Sequence, residues 1–135
     1  MTDQEIYNKV RNHLLTQMKK SLSGNGNRNS SGCCYVSPDG TRCAAGCLLP
    51  QDYVPPAEYN TGHSVFDIIK DEEAPEVMRR AFQSNEGLLT SLQTVHDCYS
   101  PDRWAPELGL VADVYDLEVE AAALNKPIKR KVKWI

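Results

Sequence analysis

Four thiols within fifteen positions, Cys33, Cys34, Cys43 and Cys47, are the densest reactive chemistry in the chain. Such a cluster suits either a tetrahedral zinc site or a thiolate nucleophile beside a base. Structural zinc sites usually take two pairs of ligands, each pair with roughly two to four residues between its members. Cys43 and Cys47 make one such pair, with His63, His96 and Cys98 as completions, but Cys33 and Cys34 are adjacent. Neighbours on a strand point to opposite faces, so at most one of those two can face Cys43 and Cys47. As a nucleophile, Cys43 stands where an apparent strand turns into a helix start, and free amides there favour a thiolate. Its base would be His63, in a loop, or His96, which shares the apolar stripe of its own segment with Leu92 and reads as a core residue. No aspartate or asparagine can be assigned as the third, orienting group. A structural zinc-binding interaction module and a hydrolase or transferase using Cys43 therefore stay open as alternatives. The plainer reading is packing, because free cysteine is among the most buried residue types. No catalytic residue, metal ligand or cofactor is assigned.

A second set could hold a ligand without reacting with it: Arg42, Tyr53, Tyr59, His63 and Arg28. A planar guanidinium forks onto phosphate, and tyrosines stack on a base. These residues predict a pocket between the Cys33–Cys47 hairpin and the Pro- and Tyr-bearing crossing of residues 51–63. Glycine loops that cradle phosphate, zinc-protease helices and serine elbows are missing from the sequence.

The elements that must position these side chains are mostly helical. Thr2 with Glu5 three residues later fits a capping box, and Ile6, Val10, Leu14, Met18 and Leu22 then recur every four residues as one apolar face. Residues 23–32, rich in Gly, Asn and Ser, read as a loop. Cys33 to Val36 and Thr41 to Cys43 read as strands around the turn Ser37-Pro38-Asp39-Gly40, and Ala44 to Leu49 as a helical turn stopped by Pro50. Ser64 caps a short helix through Ile69, and Pro75 opens another through Phe82. Glu86 to Tyr99 forms the next, and Ser100-Pro101 caps one through Trp104, Leu108, Val111 and Tyr115. Residues 117–125 continue helically to Pro127, and the partly alternating tail suits an edge strand. The expected class is α+β, with five or six short helices packed on one small β-hairpin. The expected organisation is one globular domain over 1–125 and a basic tail over 126–135.

Composition narrows the class of partner. A chain of 135 residues, 41% hydrophobic and 24% charged, has ordinary globular make-up and can bury a core without staples. Its net charge of −3 is unevenly shared. Five of the 15 basic residues and none of the 18 acids lie in 126–135, so residues 1–125 carry −8. Such a body repels nucleic acid, while the tail is free either to meet phosphate or to fold back on the acidic body. No apolar run approaches the ~20 residues that cross a bilayer, the first residues do not resemble a signal peptide, and five cysteines make a poor disulfide framework. A cytoplasmic protein is expected.

The segment Cys34-Tyr35-Val36-Ser37-Pro38-Asp39-Gly40-Thr41-Arg42-Cys43-Ala44-Ala45-Gly46-Cys47-Leu48-Leu49-Pro50 resembles a block found in a family of small, functionally unassigned bacteriophage and prophage proteins. Leu92-Gln93-Thr94-Val95-His96-Asp97, followed by Trp104, resembles a later block of the same family, and the first helix, including His13-Leu14-Leu15-Thr16-Gln17, is similar as well. The likeness spans residues 3 to about 115, and Cys33 departs from it as an extra cysteine. It implies an origin rather than an activity: a short accessory viral product, working in the host cytoplasm. Such a product is expected to bind a host component, by sequestering a nucleotide-derived defence signal or by inhibiting a host protein. The expected partner is thus a host protein or a small nucleotide-like molecule, with nucleic acid disfavoured, no membrane, and self-association open.

Overall fold

The computed structural model describes residues 2–22, 34–53, 55–56, 67–121 and 126–128. Helix α1, Asp3–Gln17, starts on the capping box: the Thr2 hydroxyl accepts from the Glu5 N–H, and the Glu5 carboxylate accepts from the Thr2 N–H. The Thr2 backbone amide first, and then the Thr2 hydroxyl beside the carboxylate, hold the Glu5 carboxyl below the usual range. The helix buries Ile6, Tyr7, Val10 and Leu14 and stops one turn early, with Met18 in the left-handed conformation at φ 48°. Met18 and Leu22, expected on its apolar face, are instead 45% and 38% exposed.

A 3-10 turn at Gly46–Leu48 precedes Pro50, and another covers Asp67–Lys70. Three helices follow: α2, Glu76–Ser84; α3, Glu86–Cys98; and α4, Pro101–Val114. Pro75 stands at the N-cap of α2, where its missing N–H costs nothing. Ser100 precedes α4 as expected, but its hydroxyl bonds the Asp102 carboxylate rather than a backbone amide of the helix. Helix α1 packs on α3, on α4 and on the Gly46–Leu48 turn, and α3 packs along α4. Leu88, Leu89 and Leu92 of α3 meet Trp104 and Leu108 of α4 in this core, and the buried Tyr7 hydroxyl donates to the Leu108 carbonyl at 2.8 Å.

Two expectations are corrected. The described chain is helical rather than α+β, because the cysteine-bearing hairpin is reduced to a turn with one isolated bridge, Val36 to Arg42. The turn itself forms, with the Gly40 N–H on the Ser37 carbonyl at 2.9 Å and Gly40 at φ 88°, a conformation that favours glycine. Its flanks then separate for local reasons. On one side the Cys34 N–H bonds the Ser21 carbonyl at 3.1 Å, and on the other the chain enters the 3-10 turn after Ala45. Residues 119–121, expected to continue helically, form strand β1, Val119–Ala121, antiparallel to β2, Lys126–Ile128. This ladder of three residue pairs is too small to make a layer.

Glutamines at the two ends of α1 pin extended backbone to the helix. Gln4 donates to the Glu118 carbonyl at 3.0 Å and accepts from the Glu118 N–H at 2.9 Å. Gln17 treats Arg42 the same way, donating to its carbonyl at 2.9 Å and accepting from its N–H at 3.0 Å. A primary amide matches both groups of one peptide unit, so each glutamine replaces a missing neighbouring strand.

Candidate functional site

The cysteine turn is built by close approach of backbone to backbone. A Cβ on Gly46 would sit 2.0 Å from the Tyr35 carbonyl oxygen, so only glycine lets the 3-10 turn lie against the first flank. This brings the Arg42 guanidinium over the turn, where its Nη1 donates to the carbonyls of Gly46 at 3.1 Å and Leu49 at 3.2 Å. The Arg42 carbonyl also accepts from His13 Nε2 at 2.9 Å. Since a carbonyl only accepts, His13 carries its proton on Nε2, and its burial lowers the ring's affinity for a second proton.

Three of the four described thiols face inward. Cys34, Cys43 and Cys47 are buried, and Cys98 is exposed. Burial pushes the Cys34 and Cys43 thiols up, and Cys47 up to about 12, because a thiolate loses its hydration there. The Cys47 thiol donates to the Ala44 carbonyl at 3.1 Å, and the Cys43 sulfur receives the Gly46 N–H at 3.3 Å. One backbone N–H on sulfur does not offset that desolvation. Among the described residues no three His, Cys, Asp or Glu side chains converge as metal ligands.

His96 is fully buried and stacked on Trp104, with ring centroids 5.5 Å apart. Its Nε2 lies 3.0 Å from the Ser21 N–H, which can only donate. The ring is therefore bare at Nε2 and protonated at Nδ1, which donates to Asp97 Oδ1 at 2.8 Å. That carboxylate oxygen also receives the Gln93 amide at 2.8 Å, and Gln93 in turn accepts the Ala45 N–H at 3.0 Å. Ser21 continues the chain, its hydroxyl on the Thr41 carbonyl at 3.0 Å. One run of hydrogen bonds thus joins Ala45, Gln93, Asp97, His96, Ser21 and Thr41, fastening α3 to the second flank of the cysteine turn and to the residues that follow it. With both ring nitrogens engaged, His96 cannot serve Cys43 as a base.

Of the five residues expected to bind a ligand, Arg28, Tyr59 and His63 lie outside the described residues, as does Cys33. Arg42 faces the turn as described. Tyr53 is half-buried and its hydroxyl donates to Asp71, which also receives the Glu73 N–H at 3.0 Å. Sequence reasoning missed Gln17, Ser21 and Gln93, which do most of the fastening. The available signal was Gln93 one helical turn before Asp97. Among the described residues no helix is long and apolar enough to cross a membrane. No family model, curated protein or solved structure matches the chain.

Proposed function

We propose that the chain is an accessory protein of the bacteriophage or prophage type that acts by binding a host protein. The observation that carries this reading is the inward use of the described chemistry. The Arg42 guanidinium is bonded to the Gly46 and Leu49 carbonyls, and Cys34, Cys43 and Cys47 are buried with raised thiols. A nucleotide-sequestering site loses its central phosphate fork, and a Cys43 enzyme loses its thiolate. The accessory origin is supported by the meeting of the two blocks that resemble the phage family, through the Ala45 N–H on Gln93, and by the stacking of His96 on Trp104 within the later block. Those residues build the fold's joint, as expected where a shared pattern preserves a scaffold.

The test is affinity capture with the full chain in its bacterial host, followed by native mass spectrometry and calorimetric titration of the purified partner. A stoichiometric host protein that rebinds in the titration is expected. A bound nucleotide-sized mass, or no bound species, overturns the protein-partner reading.

A further inference from the structure

Late in α4 two apolar residues stand on the outer side of the helix. Leu110 and Val114, one turn apart and on one face, are 57% and 78% exposed, while Trp104, Leu108, Val111 and Ala112 face the core. The same end of the helix is negative. Its last turn has no basic residue and contains Asp113, Asp116 follows directly, and the carbonyl end of a helix carries partial negative charge.

The strand register points the chain back to this place. Ile128 pairs with Val119, five residues beyond Val114, and β2 runs antiparallel to β1, so β2 is directed toward the foot of α4. Five residues of chain keep Val119 within about 17 Å of Val114. Six residues beyond Ile128, Trp134 has a reach of about 20 Å, and Leu110 lies about 6 Å along the helix from Val114. The sequence of 129–135, Lys-Arg-Lys-Val-Lys-Trp-Ile, places Arg130, Val132 and Trp134 on one side when extended and Lys129, Lys131, Lys133 and Ile135 on the other.

We propose that residues 129–135 dock along the outer face of α4, with Val132 and Trp134 on Leu110 and Val114 and Arg130, on the same side of the segment, beside Asp113 and Asp116. The segment then covers the apolar stripe and complements the negative helix end within one chain. This docking goes beyond the partner reading and does not depend on it.

Trp134 is the reporter, because the other tryptophan, Trp104, is fully buried. Subtracting the emission of full-length Trp134→Phe from that of the wild type isolates it. The expected Trp134 spectrum is blue-shifted and shielded from acrylamide relative to a free peptide of 129–135. Leu110→Asp removes both properties by shifting the docking equilibrium at least about tenfold, equivalent to about 1.4 kcal/mol. Val77→Asp, at an equally exposed valine of α2 (82%), leaves them intact. Circular dichroism of both variants checks that the fold is retained. The proposal is overturned if Trp134 is quenched as freely as in the peptide, if Val77→Asp abolishes its shielding, or if that shielding survives Leu110→Asp. Shielding that grows with protein concentration overturns it too, since the occupant is then a second copy.

Discussion

Replacing His96 with phenylalanine keeps an aromatic ring against Trp104 and deletes both ring nitrogens. The Ser21 N–H, in a residue with no exposed surface, then loses its acceptor. A buried donor left unpaired costs about 1–3 kcal/mol. The other side loses less. The Asp97 side chain is 38% exposed and keeps the Gln93 amide, so water takes the place of the ring N–H for about 0.5 kcal/mol. A net loss of about 2 kcal/mol follows. With an unfolding entropy of about 2.1 cal/mol/K per residue, a chain of 135 residues should melt about 7 °C lower. His96→Gln reaches back toward Ser21 with an acceptor and should recover part of this. Thermal melts of the three proteins measure the loss, and hydrogen exchange at Ser21 locates it. A His96→Phe protein melting within about 2 °C of the wild type, with the Ser21 amide equally protected, would refute the argument. So would nitrogen chemical shifts showing the proton of His96 on Nε2.

Gly46→Ala places a methyl group against the Tyr35 carbonyl and should cost about 3 kcal/mol in urea unfolding, against about 1 kcal/mol for Gly40→Ala, where only φ is strained; similar losses at the two positions would contradict this. The buried thiols favour folding below the ordinary thiol value of 9.0, and their support is lost as pH rises from there toward about 12. Unfolding free energies from urea titrations should therefore fall above pH 9, by up to about 1.4 kcal/mol per pH unit for each raised thiol, and less steeply in Cys47→Ala; parallel curves would count against it. His13 has the opposite sign, since its lowered value in the folded state means support above 6.5 that is lost on acidification. Urea midpoints should drop as pH falls below 6.5, and His13→Gln, which keeps a donor for the Arg42 carbonyl, should flatten that drop; an unchanged slope would exclude His13 as its source.

The helices were legible because their signals are local. Thr2 and Glu5 mark the start of α1, and the spacing of Leu88, Leu92 and Val95 sets the buried side of α3. The placing of His96 in the core followed from the same stripe. The hairpin was half legible: Pro38, Asp39 and Gly40 specify a turn wherever they stand, but a ladder depends on what else competes for its amides. The Cys43 carbonyl, which would extend the pairing with Tyr35, accepts the Cys47 N–H of the following turn instead. Strand β1 was misread because its β partner among the described residues lies beyond residue 125. Arg42 was singled out for the geometry of its side chain, which sequence supplies, whereas its direction is set by carbonyls that converge only once Gly46 packs on Tyr35.

The grip of Gln17 on Arg42 has a bearing on how anything could attach here. An exposed strand offers its free N–H and C=O to an incoming strand, and many partners and most aggregates add themselves that way. At Arg42 both groups are already answered by a side chain from within the chain. A visiting peptide must displace an intramolecular amide held in place by α1 before it gains a single bond. Recognition of this protein at that position is therefore closed to strand addition.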